Sequence, residues 1–318
     1  MVGELLQRTT LHQTVPIGSL SVALIIILGR ITGQHLNTIL AILHSRPHRE
    51  QVFPFIEECL EVLTQEEVEE LKTVLKSNIQ TFTEINAFRT TNLICRHYLP
   101  DLNMFIDDLH EYPQEQLTLI REVLELYSYG EKMHSLKVKY LQLLASEGHH
   151  DTILSELMKE NYPLDESLEI SREWAVLEPQ AYLLAKAGGE GNNAEAIRVY
   201  FKIIWNKLTE LLLASHDPLD EQQLSELIMK YVQKCVDICV ELDLRHQLHD
   251  DNEWFLTLRE LERFKRMVLG SLVIDGHTCD SIKRVINFEA YPLLVRILIQ
   301  EVTPEGLTVY LAHAIGRL

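Results

Sequence analysis

The stretch from Tyr162 to Leu213 limits what this chain can fold into more than any other part of it. It runs Tyr162-Pro163-Leu164 into Trp174-Ala175-Val176-Leu177, then Ala181-Tyr182-Leu183-Leu184, a Gly/Asn-rich turn at 188–193, and Ala194-Glu195-Ala196-Ile197. Apolar residues recur every three or four positions on both sides of the turn, which is the spacing of one buried face of a helix. Small residues (Ala181, Ala185, Ala187, Ala194, Ala196) flank the turn and would let two helix backbones approach closely. Gly188 stands where a helix ends on a positive-φ residue, and Asn192 or Asn193 is placed to cap the next one. The expectation is a helix–turn–helix hairpin of the kind that stacks on copies of itself.

The remainder of the chain repeats that pattern. From Ile17 onward nearly every segment reads as helix, with short links and no alternating period-two run framed by turn dipeptides. Thirteen Gly and ten Pro among 318 residues suit helices with short connections. Leu36, Ile39, Leu40, Ile42 and Leu43 form one stripe, and Val52, Phe55, Ile56, Cys59, Leu60 and Leu63 another. Thr64-Gln65-Glu66-Glu67 is a capping box that opens the next helix. Ile79–Tyr98 reads as one helix stopped by Pro100. Pro113 takes the first turn of a helix through Tyr127, whose buried side is expected to be Leu117, Ile120, Val123, Leu124 and Leu126.

Further helices are expected over Met133–Ser146 and Ile153–Asn161, with Gly148-His149-His150-Asp151 as the loop between them. Asp217-Pro218 caps Leu219–Leu242, a segment from Trp254-Phe255 runs to Leu272, and three short helices close the chain, the last opened by Thr303-Pro304. The fold class expected is all-α: an α-solenoid of stacked antiparallel helical hairpins. Residues 1–16 are expected to be poorly structured and 17–318 to form one elongated repeat domain, with its central repeats at about 113–272.

Composition excludes several classes of partner. A formal net charge of -18 opposes nucleic acid, which needs clustered Lys and Arg, and opposes adsorption to anionic lipid. The apolar run Ile17–Leu28 spans about 12 residues, short of the ~20 a membrane-crossing helix needs, and no basic region precedes it as in a signal peptide. A buried helix is expected there. Five scattered cysteines (Cys59, Cys95, Cys235, Cys239, Cys279) fit reduced thiols packed on buried faces.

The candidates for chemistry are weak. Gly188-Gly189-Glu190-Gly191 lacks the Lys-Ser/Thr and the preceding strand of a phosphate loop. His246 and His249, beside Asp250-Asp251 and downstream of Cys235 and Cys239, lack the paired ligands of a structural zinc site. His149-His150 beside Asp151 lacks a nucleophile context. The acidic clusters Glu57-Glu58, Glu66–Glu70 and Asp107-Asp108 hold no calcium-loop spacing, and the first two read as solvated helix faces. Trp254-Phe255 and Trp174 suit core packing, with partner anchoring as the alternative. No catalytic, cofactor-binding or metal-ligating residue is expected, and no cofactor.

The residues Tyr162-Pro163-Leu164, Ala181-Tyr182-Leu183-Leu184 with Gly188, and Ala194-Glu195-Ala196 resemble the clathrin heavy-chain-repeat region of vacuolar protein sorting subunits in tethering complexes of the CORVET/HOPS type. Lys234–Cys239 and Glu253-Trp254-Phe255 are similar to its downstream helices, and Glu111–Leu117 to the endosomal large subunit. The match covers about half the chain and rests on packing residues. The β-propeller and RING-like cluster such subunits carry are not in this sequence. The resemblance implies a cytoplasmic, non-enzymatic scaffold held at endosomal or vacuolar membranes through partners, namely sister subunits and a Rab-type GTPase. It implies neither nucleic-acid binding nor direct membrane insertion. The alternatives are a helical-repeat subunit of a coat, nuclear pore or ciliary transport assembly; an all-helical metal-dependent enzyme using His149, His150, His246 or His249; and a lipid carrier lined partly by Ile17–Leu28.

Overall fold

The computed structural model describes residues 35–44, 49–127, 133–159, 162–214, 220–241, 253–271 and 274–301. Among the described residues the chain is all-helical, and it divides between Leu143 and Leu144 into two compact units. The expected N-terminal segment, the run Ile17–Leu28, the Asp217-Pro218 cap, His246, His249 and the Thr303-Pro304 start all lie outside the described residues.

The first unit contains α1 (His35–His44), α2 (Val52–Leu60), α3 (Gln65–Ser77), α4 (Ile79–His97), α5 (Leu102–Asp107) and α6 (Pro113–Leu126). Helix α1 packs on α2, and α4 packs against α2, α3, α5 and α6. Their apolar faces meet in a core that fully buries Ile39, Ile42, Phe55, Ile56 and Phe82. Phe53 meets Phe82 edge-on at 5.9 Å, a geometry that favours the positive ring edge against the negative face. The capping box at Thr64 forms: the Thr64 backbone N–H donates to Glu67 Oε2 at 2.8 Å, and the Thr64 hydroxyl accepts from the Glu67 amide.

Helix α4 is not continuous, contrary to the expectation for Ile79–Tyr98. Asn86 is extended (φ -163°, ψ 98°), and its side-chain oxygen accepts from the Arg89 amide at 2.9 Å. Asn86 therefore caps a second helical segment, because a short amide competes well for backbone partners. The Thr90 hydroxyl bridges the break by donating to the Phe82 carbonyl. On α6, Leu119 is buried where Leu126 was expected, and Leu126 is exposed. The buried Gln116 donates to the Ile106 carbonyl at 2.7 Å and ties α6 to α5. Asp101, Asp107 and Asp108 each face a lysine: Lys72 at 2.5 Å, Lys139, and Lys76 at 3.5 Å. That clustering of acids is compensated charge.

Helix α7 (His134–Ser146) carries the division between the units. The second unit continues with α8 (His150–Met158), α9 (Leu164–Glu173), α10 (Leu177–Ala187), α11 (Glu190–Ala214), α12 (Glu221–Glu241), α13 (Glu253–Gly270), α14 (Gly276–Val285) and, after one π-helical turn, α15 (Tyr291–Glu301). From α10 onward each helix packs on the next one or next but one: α10 on α11, α11 on α12 and α13, α12 on α13 and α14, and α13 on α15. The α10/α11 seam is the one the small residues foretell. Ala181 and Ala196 are fully buried in it, whereas Ala187 is exposed. Gly188 ends α10 at φ +67°, ψ -175°, a conformation costly to any residue with a Cβ. Neither Asn192 nor Asn193 caps α11. The helix starts earlier, at Glu190, and Asn192 instead donates its side-chain N–H to the Gly188 carbonyl at 2.9 Å.

Two helix ends close by the same pair of backbone bonds. At α7 the His149 amide donates to the Leu144 carbonyl and Gly148 donates to Ala145; at α9 the Val176 amide donates to Ser171 and Ala175 donates to Arg172. Both are Schellman closures, which need a positive φ at the residue past the cap. Gly148 meets that need at φ +76°, but Ala175 stands at φ +52°. The left-handed conformation costs an L-residue roughly 1–2 kcal/mol. Ala175→Gly should therefore raise the melting temperature, with a gain of up to about 1 kcal/mol after the glycine's extra unfolded-state freedom is offset. Gly148→Ala should lower it, although a Cβ at Gly148 meets no atom within 4 Å. Equal and opposite sign changes in thermal denaturation are the check; a destabilised Ala175→Gly would contradict the assignment.

Candidate functional site

The structure collects most of the residues singled out in the sequence into the second unit. Tyr162, Pro163 and Leu164 open α9; Ala181, Tyr182, Leu183 and Leu184 lie on α10 before Gly188; Ala194 and Ala196 begin α11; Trp254 and Phe255 begin α13. All are packing or turn positions. Tyr162 donates to Glu156 Oε2 at 3.3 Å across the α8–α9 turn. Trp254 is fully buried and Phe255 half-buried, while Trp174 is 42% exposed, so the core role expected for Trp174 does not hold.

His149 lies in the expected loop, but His150 does not. Helix α8 begins at His150, with His149 just before it, because the α7 closure shortens the link. His150 and Asp151 line a cleft of about 300 Å³ together with the α9–α10 turn, Glu178, and Asn206, Lys207 and Glu210 of α11. The lining contains no Ser, Thr or Cys that could serve as a nucleophile. One of its carboxylates, Glu178, is also committed. Glu178 Oε1 accepts from Lys207 Nζ at 2.8 Å and from the Tyr231 hydroxyl at 2.6 Å. Burial alone would push Glu178 upward, but these two bonds and the charges of Lys207 and Lys230 outweigh it and hold the carboxyl below its ordinary value. Tyr231 is driven upward, first by burial and then by donating to Glu178. Lys230 and Lys234 lie 5.1 and 5.8 Å from the Tyr231 ring centroid. A depressed, doubly bonded carboxylate is a poor general base. The cluster's chemistry is to pin α10, α11 and α12 together.

Three of the buried thiols are equally unsuited to redox work. Burial raises Cys95 to about 11 and Cys239 to about 12, and raises Cys235 well above its ordinary value, so they stay protonated and inert. Val236 shares their buried face, but Val240 is exposed and Ile238 takes its place. Among the described residues no group of three or more His, Cys, Asp or Glu could hold a metal ion, and no helix is long and apolar enough to cross a membrane.

A second concavity differs in kind. Helices α11 and α13 each present an i, i+3, i+4, i+7 stripe to a shared groove of about 200 Å³: Arg198, Phe201, Lys202 and Trp205 from α11, and Glu260, Arg263, Phe264 and Met267 from α13. Phe264 sits between Phe201 and Trp205 with centroids 6.4 Å from each, edge-on to the indole. Arg198, Lys202 and Arg263 are exposed around this aromatic floor. The sequence reading passed over these residues. The available signal was basic residues interleaved with aromatics at helical spacing in a chain that is otherwise acidic.

Comparisons with protein-family models, with curated proteins and with solved structures find no match to this chain.

The Glu178 cluster has a measurable signature. Tyr231→Phe removes one hydrogen bond to a carboxylate and should cost about 1–2 kcal/mol in chemical denaturation. Because Glu178 titrates lower when folded, its contribution is complete above the ordinary value of 4.5 and is lost as pH falls below that value through the folded one. The stability–pH profile of Glu178→Gln should therefore be flatter than wild type below about pH 4.5, and parallel to it above. A profile unchanged by the substitution would refute the pairing.

Proposed function

We propose that this chain is a non-enzymatic scaffold for protein–protein association, with its helices stacked as the antiparallel hairpins of an α-solenoid. The observation that carries the reading is the packing order of the second unit. From α10 to α14 each helix packs on the next and, for most, on the next but one, so apolar burial follows the sequence and leaves outer helix faces unspent. That is the economy of helical repeats, in which each hairpin needs its neighbours to bury its core and the remaining faces serve partners. The cleft supports the same view, since its Glu178 carboxylate is engaged internally and its lining holds no Ser, Thr or Cys.

The place of work proposed is a vesicle-tethering assembly of the endosomal or vacuolar system, with attachment to membranes through sister subunits or a Rab-type GTPase. What supports this is the resemblance of Tyr162-Pro163-Leu164, Ala181–Leu184 with Gly188, and Ala194-Glu195-Ala196 to clathrin heavy-chain repeats. These residues lie at the start of α9, along α10 and its end, and in the first turns of α11. A net charge of -18 also favours attachment through proteins over direct contact with anionic lipid. Affinity purification of the chain from its native cells, followed by mass spectrometry, is the test. Recovery of vacuolar sorting subunits or an endosomal GTPase is the expected outcome. Recovery of a different multisubunit assembly would keep the scaffold and remove the tether, and a chain that recovers no protein would remove both.

A further inference from the structure

Resting on the scaffold reading, we infer that the α11/α13 groove is a docking site for an acidic amphipathic helix that inserts one bulky apolar side chain over Phe264. Three observations converge. The first is shape. The two stripes at i, i+3, i+4 and i+7 run for about 10 Å, or two helical turns, and form the wall and floor into which a third helix can lay an anchoring face. A volume of about 200 Å³ takes one large side chain, such as Trp, Phe or Leu.

The second is exposed apolar surface where none is needed. Met267 is 40% exposed at the groove edge, and the Trp205 ring is only half-buried. Aromatic and methionine side chains in a partly open cleft are the composition of interface centres.

The third is charge. Arg263 lies 3.7 Å from the buried Glu260, which neutralises one of the three cations. Neither Arg198 nor Lys202 has an acidic partner among the described residues. The groove thus keeps a local positive surplus in a chain of net charge -18. That inversion of sign selects an acidic partner, while the net charge of -18 carried by every copy opposes the approach of a second chain as a whole. The overall charge opposes nucleic acid, which leaves an acidic polypeptide as the occupant.

The experiment uses the full chain and a short fluorescein-labelled amphipathic peptide carrying one Trp flanked by Glu residues, read by fluorescence anisotropy. A matched peptide with Lys in place of Glu is the control. The acidic peptide should bind saturably, weaken as salt rises, and weaken by about tenfold in Arg198→Glu/Lys202→Glu. The Lys peptide should bind less well to wild type and better to the double variant. Both substituted residues are exposed, so the variant keeps its fold, checked by circular dichroism. Hydrogen exchange should show protection confined to residues 198–205 and 260–267.

Failure of the acidic peptide to bind, equal binding of both peptides, or protection elsewhere would overturn the assignment. So would displacement of the peptide by single-stranded RNA, or a change of sedimentation in the double variant that marks a contact between copies. The purification from native cells, repeated with the double variant, separates this proposal from the scaffold reading. Loss of a subset of partners supports the groove. An undiminished partner set overturns the groove alone, and a wild-type chain that recovers nothing overturns the scaffold as well.

Discussion

The structure of the second unit depends on the burial of α11. This helix of 25 residues is about 37 Å long and packs against α10, α12 and α13 at once. Ala196, Ile197, Ile204 and Leu208 are almost wholly removed from water along it. Burial of the two Ile and the Leu side chains is worth roughly 1.5–3 kcal/mol each, well above what an exposed ion pair contributes. The helix draws that stability from its neighbours, because in proteins most helical stability comes from tertiary packing of an apolar face. Its neighbours hold it and it holds them, and both concavities of the unit are cut into its flanks.

That position explains why the two concavities differ. The face turned toward α8 and α10 carries Lys207, which meets Glu178 and, through it, Tyr231 of α12. Its polarity is spent on joining helices. The face turned toward α13 carries Arg198, Phe201, Lys202 and Trp205, and its two cations find no acid among the described residues, Glu260 opposite being paired with Arg263. One helix thus supplies a structural clamp on one side and an open aromatic groove on the other. Function in a molecule of this kind is carried by what remains unsatisfied after the core is built.

The helical character of the chain was legible in its apolar periodicity, and several ends were legible in their chemistry: the Thr64–Glu67 box, Pro113 in a first turn, Gly188 at a positive φ. What escaped was decided by interactions the sequence does not order. Asn86 could have remained helical; it breaks α4 because its side chain captures the Arg89 amide. His150 begins a helix because a Schellman closure consumes the preceding residues, and the same closure at α9 forces an alanine into a glycine's conformation. The groove was invisible because Phe201 and Phe264 read as core residues from spacing alone; both are indeed buried. Only the partial exposure of Trp205 and Met267 beside them, together with unpaired cations, marks a surface.

The central claim is that α11 is the element through which the second unit holds together and on which its candidate surfaces rest. Native-state hydrogen exchange of the full chain in increasing denaturant tests it most directly. The account predicts that the α11 amides from about 196 to 208 exchange only through the largest opening of that unit, together with those of α10, α12 and α13. Contradiction would come from α11 exchanging through small local openings while its neighbours stayed protected. The helices would then stand independently of it, and neither the clamp nor the groove would be part of a common framework.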